Sequence, residues 1–388
     1  MAWSRDGRVS DTSRWYSGAS GDQWPLLGIF GASGLLGNGF SNALGPHGIK
    51  VDFLSDYYRG LPLFRGARAK APDIVHVHWP EHYFQRQGDR WDWLRVARYP
   101  LDCWLTAHYR PIVLTAHNLL PHNRSDESGV FRNVRSTAQN SKAIFVHSNV
   151  ARQRIRDAFS LSDNLIHNIP YGDHSVTMGA PLPRDQARIQ LRLPREDKVC
   201  LVFGTVSPYK GSDELVRFWA ENDLPYRLVV VGKIFSYAFA SRLYELAQGH
   251  KMIDLRLVDE WLDEAALRVW LSASDCSIFN YREIFTSGAA TLARSYGLPL
   301  LIPRRLASVD LDEPHPHVFR FDTLETDFRV QLDRALATPS DYELADEWRQ
   351  KTTWERVAEI TASVYRDVMR AASSTGTAIG PWYRRQES

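Results

Sequence analysis

Short, mostly apolar runs alternate with stretches of helical spacing along most of this chain. In the first half the runs fall at 26–30, 49–54, 74–77, 112–115 and 143–146, and segments such as 91–109 and 130–140 between them carry helical periodicity. Apolar runs of this length predict parallel strands buried on both faces. A further short strand at 165–169 ends at Pro170-Tyr171-Gly172. The second half repeats the alternation at 199–203, 227–231, 253–258, 276–279 and 299–302, and a last helix is predicted over about 341–371. Two such series predict an α/β protein of two doubly wound domains with a central cleft between their strand ends, where ligands of this architecture bind. The predicted boundaries are a mobile polar tail over 1–22, an N-terminal domain over 23–174 and a C-terminal domain over 198–340. Between the domains, 175–197 holds Pro181, Pro183, Pro194 and many charges and predicts a linker. The closing helix belongs to 341–375.

Length and composition narrow the class. A chain of 388 residues is long for one core. A formal net charge of +2 with 24% charged residues argues against a protein that coats nucleic acid. The three cysteines, Cys103, Cys200 and Cys276, have no short pair spacing, which argues against a disulfide framework or a thiolate zinc site and fits a reducing cytosol. No apolar run reaches the ~18 residues that cross a bilayer. The expectation is a cytoplasmic protein. Several of the 13 Trp lie beside Arg, as in Arg90-Trp91 and Trp348-Arg349, and this pairing suits a carbohydrate surface or peripheral contact with the inner face of the plasma membrane.

The most informative stretch runs from Tyr281 to Pro303. A strand leads into a polar loop with one acid, Glu283, and then into a helix whose first turn is Thr286, Ser287 and Gly288. Free N–H groups, two hydroxyls and the positive dipole end suit a phosphate, and Glu283 suits sugar hydroxyls. After the first strand of the second half, Phe203-Gly204-Thr205-Val206-Ser207-Pro208-Tyr209-Lys210-Gly211 opens another helix. Gly204 permits close approach of backbone, Ser207 offers a hydroxyl and Lys210 a mobile cation for a diphosphate. Lys233 and Trp261, beyond the next two strands, complete the candidate donor set.

The first half carries polar motifs at three successive strand ends: His76-Val77-His78-Trp79-Pro80-Glu81, Leu114-Thr115-Ala116-His117-Asn118 and Phe145-Val146-His147-Ser148-Asn149. Alternation puts His76 and His78 on one face. A metal would need a third ligand, with His82 or His117 in reach, but no metalloenzyme spacing is present. Glycines of Gly31-Ala32-Ser33-Gly34-Leu35-Leu36-Gly37, with Asp52 about twenty residues on, fit a dinucleotide fingerprint, or alternatively a loop at the cleft floor that places Gly34 beneath a donor. No Tyr followed four residues later by Lys occurs, so the catalytic pair of short-chain dehydrogenases is absent.

Together, His-Val-His-Trp-Pro-Glu, Thr-Ala-His-Asn, Val-His-Ser-Asn, Ile-Pro-Tyr-Gly, the Gly204 to Lys210-Gly211 loop and Tyr-Arg-Glu-Ile-Phe-Thr-Ser-Gly resemble bacterial GT-B glycosyltransferases of exopolysaccharide assembly. Within those, His-Trp-Pro-Glu and Arg-Glu-Ile-Phe-Thr-Ser-Gly look most like GDP-mannose:glycolipid β-mannosyltransferases, over roughly residues 25–370. The resemblance implies the GT-B fold of two Rossmann-like domains, with the last helix crossing back to the first. It also implies transfer of a hexose from a nucleotide diphosphate sugar, GDP-mannose before UDP-sugars, to a glycan, glycolipid or small-molecule hydroxyl. Two departures from the large retaining family stand out. Thr205 replaces the Arg usual beside the glycine, and no second acid follows Glu283 after seven intervening residues, where Thr291 stands. Inversion is therefore expected, with no metal or other cofactor, and with Glu81 as general base, His117 second and Asp126 a further option. The competing readings are a non-catalytic carbohydrate or nucleotide binder on the same fold and an NAD-dependent dehydrogenase.

Overall fold

The computed structural model describes residues 27–30, 35–54, 60–83, 93–117, 128–282, 285–306 and 315–374. The expected tail, the loop of Gly31 to Gly34, Asp126 and Glu283 lie outside the described residues, as does the side chain of His82. The chain divides into two compact units. One comprises 1–146, 152–169 and 354–388, the other 147–151 and 170–353.

Each unit is built on a parallel six-stranded sheet. Unit 1 contains β1 (Leu27–Phe30), β2 (Val51–Leu54), β3 (Ile74–His78), β4 (Ile112–Thr115), β5 (Ser141–Val146) and β6 (Ile166–Asn168), in the order β2-β1-β3-β4-β5-β6. Unit 2 contains β7 (Val199–Phe203), β8 (Arg227–Lys233), β9 (Ile253–Val258), β10 (Cys276–Ile278), β11 (Leu300–Pro303) and β12 (Val318–Phe321), in the order β12-β11-β10-β7-β8-β9. Read from β9, this is the doubly wound order of a dinucleotide fold. Side chains on the central strands of unit 2 divide by parity. Val199, Leu201 and Phe203 join one hydrophobic cluster with Val229 and Val231, whereas Cys200 and Val202 join the other with Leu228 and Val230. Both faces are covered, which is why these strands read as unbroken apolar runs. The edges differ from the fully buried expectation: β9 is largely half-exposed or exposed and β2 partly so, because an edge strand has a neighbour on one side only. The strand β12, which follows the undescribed stretch 307–314, was not predicted.

Two predicted segments are corrected. The stretch 175–197 is not a linker; it carries helices Ser175–Met178 and Arg184–Leu191 and belongs to unit 2. Its charge density misleads because Arg188 is internal. That guanidinium donates to the carbonyls of Ala273 (3.0 Å), Arg195 (2.7 Å) and Asp197 (2.6 Å) and pairs with Asp275 at 2.7 Å. The closing segment is two helices, Asp346–Lys351 in unit 2 and Trp354–Ser374 in unit 1. The break falls at Thr352, whose hydroxyl donates back to the Trp348 carbonyl (2.9 Å) and whose own carbonyl accepts from Asp173 N (2.8 Å) instead of continuing a helix. Trp354, Val357, Ala358, Val364, Tyr365, Val368 and Met369 recur at helical spacing and pack in the unit 1 core.

The helix Trp93–Tyr109 contains Pro100, which cannot donate to the Val96 carbonyl. Asn133, fully buried on the helix Ser128–Asn140, supplies the missing donor through Nδ2 at 2.9 Å. Replacing Asn133 by Ala leaves that buried carbonyl without its partner, at a cost of about 1–3 kcal/mol. The melting temperature of unit 1 should fall by several degrees in calorimetry; an unchanged value would mean the carbonyl is satisfied in another way.

Candidate functional site

In unit 2 the strand order reverses at β7, which lies between β10 and β8, so the segments leaving β7 and β10 emerge side by side. Such a reversal is where doubly wound sheets bind ligands. The segment after β7 begins with an unusually close backbone approach. Gly204 N donates to the Val231 carbonyl (3.1 Å), and a Cβ on Gly232 would lie 1.7 Å from the Gly204 carbonyl oxygen. With φ of 147° as well, position 232 accepts only glycine. Val206 N then donates to the Lys233 carbonyl at 2.7 Å, which continues the contact with β8.

The chain turns back through Pro208–Lys210, and Lys210 Nζ folds inward to donate to the Phe203 carbonyl at 3.0 Å. The ammonium also lies 5.4 Å from the Tyr281 ring centroid. Burial brings its pKa down to about 8. The segment after β10 is bolted to this turn. Asn280 Nδ2 donates to the Gly211 carbonyl (3.2 Å) and to Glu214 (3.1 Å), and Arg282 N donates to the Tyr209 carbonyl at 2.8 Å. The Arg282 guanidinium bonds Glu214 and the buried Asp213, each at 2.9 Å, and the Pro208 carbonyl. Beyond Tyr281, the helix Gly288–Ser295 starts at Ser287, whose hydroxyl accepts from Ala290 N at 3.1 Å and donates to Tyr281 Oη at 3.4 Å. Ser287 is thus the helix cap rather than a second free hydroxyl for a phosphate, a correction to the sequence expectation. At Gly288 a Cβ would lie 2.8–3.0 Å from the Tyr171 ring, so the missing side chain lets that ring pack on the helix start.

The structure therefore brings Lys210 and Ser287 to Tyr281, with Gly204 beside the Lys210 ammonium and Gly288 beside Tyr171, while Ser207 is buried and Thr205 and Thr286 half-buried in the same segments. Lys233 and Trp261 form a pair at 5.3 Å, and Trp261 is mostly exposed. Sequence reasoning missed Tyr281, Tyr171, Gly232 and the Asn280–Arg282 bolt. The available signals were a glycine immediately after Val229-Val230-Val231 and polar residues flanking Tyr281 after a buried strand.

In unit 1 the order reverses at β1, between β2 and β3. His78 Nδ1 and His117 Nε2, from the ends of β3 and β4, share a hydrogen bond at 2.9 Å, and Trp79 stacks on His117 with ring centroids 4.1 Å apart. Trp79 has φ of 47°, a left-handed conformation costing about 1–3 kcal/mol in a non-glycine residue and typical of functional sites. His76 lies inside, bonded to Tyr365 Oη (2.5 Å) and Thr115 Oγ1 (2.7 Å), and burial followed by the neighbouring His78 holds it well below the usual imidazole range. It ties the helix Trp354–Ser374 to the sheet. Glu81, in the turn Pro80–Tyr83, is buried, and desolvation pushes its carboxyl up to about 7; its charge is felt by Tyr99.

Other expectations meet plain outcomes. Asp52, read as a ribose ligand for a dinucleotide, instead pairs with Lys70 at 2.5 Å. Ser148 caps the helix Asn149–Phe159 by accepting from Ala151 N at 2.7 Å, and His147 packs 5.0 Å from Tyr171. Among the described residues no group of three His, Cys, Asp or Glu is placed to hold a metal ion, and no helix is long and apolar enough to cross a membrane.

No family model matches the chain. The chain is 25% identical over 263 residues to a GDP-mannose:glycolipid 4-beta-D-mannosyltransferase of Xanthomonas campestris pv. campestris, a match covering 65% of this chain and 69% of the relative. Among solved structures, the sucrose-phosphate synthase of Thermosynechococcus elongatus superposes with a TM-score of 0.64 at 15% identity, over 89% of this chain and 99% of that one. Anabaena HepE, in complex with UDP-glucose, gives 0.60 at 13% identity over 90% and 99%. The chain therefore has the GT-B fold of these solved structures, and its sequence is similar to that of a glycolipid mannosyltransferase.

Proposed function

We propose that the chain transfers a hexose from a nucleotide diphosphate sugar to a hydroxyl of a glycan, glycolipid or small-molecule acceptor, by inversion and without a metal. GDP-mannose is the favoured donor, with UDP-sugars the other option. The observation that carries this reading is the convergence of the Lys210 ammonium, Tyr281 and the start of the helix Gly288–Ser295 at the strand reversal of unit 2. A departing nucleoside diphosphate gains negative charge. An inward cation and the positive end of a helix stabilise that charge without reorganising, because both are already held in place. Glu283 is assigned to hydroxyls of the donor sugar, on the resemblance alone. The mannosyltransferase relative from Xanthomonas is what favours a guanine nucleotide.

Inversion needs a group that accepts the proton of the attacking hydroxyl. Glu81 is assigned this role in unit 1: a carboxyl with a pKa of about 7 is a stronger base than an ordinary glutamate and still ionises near neutral pH. His117 is the alternative, since its ring is held by Trp79 and by the bond to His78.

These assignments predict a bell-shaped pH dependence of kcat/KM. Activity rises with pH through about 7, as Glu81 loses its proton, and falls above about 8, as Lys210 loses its charge. Glu81→Gln should remove the acid limb and lower turnover by ~10² to 10⁴ while nucleotide binding stays intact. With an α-linked donor the product should be β-linked; recovery of the α anomer would overturn both inversion and the role of Glu81.

Lys210→Ala should weaken nucleoside diphosphate binding about ten- to hundredfold in calorimetric titration, the equivalent of one charge-assisted contact. Unchanged affinity would remove Lys210 from the site. The same titration run with GDP and with UDP decides between the two donor classes.

A further inference from the structure

A departing nucleoside diphosphate brings more negative charge than Lys210 and a helix start can balance. Its terminal phosphate alone carries roughly two negative charges near neutral pH. Against this the Lys210 ammonium sets one positive charge, and the start of the helix Gly288–Ser295 about half of one. The segment 204–211 holds no other cation. Most arginines at the neighbouring strand ends are already paired: Arg282 with Asp213 and Glu214, and Arg304 with Asp322 at 2.8 Å. Arg305 is different. Its side chain is exposed, Nη2 donates to a backbone carbonyl, that of Tyr281, at 3.3 Å, and no carboxylate among the described residues pairs with it.

The turn after β11 sends two neighbouring arginines to opposite sides. Leu306 N donates to the Pro303 carbonyl at 3.0 Å and the Leu306 side chain is buried, which fixes the turn. Arg304 N donates to the Phe321 carbonyl of β12 (2.7 Å), and its guanidinium reaches Asp322 and the Arg320 carbonyl on that same side. Arg305 reaches the other way, to the segment leaving β10. Because β11 lies between β12 and β10, this direction is toward the strand reversal at β7. Tyr281 therefore stands between two cations, with Lys210 Nζ 5.4 Å from its ring centroid and Arg305 on its carbonyl, while its hydroxyl meets the helix cap Ser287. A bond of 3.3 Å is long for N–H···O and engages one of the five guanidinium donors, so the rest of the fork is available to a ligand.

We propose that Arg305 is the second cation of the donor site, binding the terminal phosphate of the nucleoside diphosphate from the β11 side while Lys210 binds it from the β7 side. The inference rests on the donor reading given under the proposed function and adds a residue to it. A guanidinium fits the role because its planar fork matches two phosphate oxygens. It also keeps its charge at every pH at which the protein works, whereas Lys210 gives up its proton near pH 8. In the sequence, Arg304-Arg305 after a buried run reads as ordinary surface charge. Strand order alone says which of the two faces the site.

The test is calorimetric titration of the full chain with GDP, UDP and the matching monophosphates, for the wild type and for Arg305→Ala, Arg305→Lys and Arg304→Ala. Arg305→Ala should weaken binding of the diphosphate that the wild type prefers by about tenfold or more, the equivalent of one charge-assisted contact, and leave the monophosphate of the same base unchanged. Arg305→Lys should recover part of the loss, since it restores the charge without the fork. Arg304→Ala, one residue away but tied to Asp322, should bind as the wild type does. Melting temperatures should agree across the set, because both arginines are exposed. Wild-type affinity in Arg305→Ala, or a loss shared equally by the monophosphate or by Arg304→Ala, overturns the inference and leaves the donor reading standing. A wild-type chain that binds neither GDP nor UDP overturns the donor reading itself, and Arg305 loses its role with it.

Discussion

A lysine held inside by a carbonyl governs unit 2. The Lys210 ammonium donates to the carbonyl of Phe203, the last residue of β7, and desolvation lowers its pKa from 10.5 to about 8. That shift means the charged form is disfavoured by ~3 kcal/mol relative to water, a cost an anionic ligand would offset. Holding the lysine there requires a tight turn after β7. The turn in turn depends on Gly232 admitting the Gly204 carbonyl and on Arg282, Asp213 and Glu214 clamping the segment after β10 against it. Loosening any of these lets the ammonium escape to solvent, where it would lose its preorganisation.

Unit 1 solves a different problem with the same architecture. Its strand ends carry histidines, and the structure separates them by depth. His76 is neutral and internal, fixed between Tyr365 and Thr115, so the closing helix and the sheet hold each other in register. One pleat further on, His78 reaches His117, and Trp79 is forced into a left-handed turn to cover that ring. Strain at Trp79 and burial at Glu81 both run against stability. Both fall where the chain leaves β3, and costs of this kind cluster at functional sites.

Arginine shows how the same residue type takes opposite roles. Arg188 is wholly interior and serves as a backbone clasp, while Arg65 and Arg68 stay in water. Composition counts these alike. Only burial tells them apart.

The sequence by itself determined the class of fold. The sequence located eleven of the twelve described strands to within a few residues, because a strand buried on both faces has little choice but to be continuously apolar. It also offered Gly204, Lys210 and His117 as candidates, since chemistry at strand ends calls for glycines, cations and polar side chains. What it could not do was assign partners. Ser287 and Ser148 cap their own helices three residues on, Asp52 is paired with Lys70, and the charged stretch 175–197 belongs to unit 2, where Arg188 reaches Ala273 and Asp275 far along the chain. Tyr281 and Gly232 gained meaning only when β7, β8 and β10 were laid side by side. A residue's type is written locally, but its neighbours are set by strand order, and strand order is a property of the whole sheet.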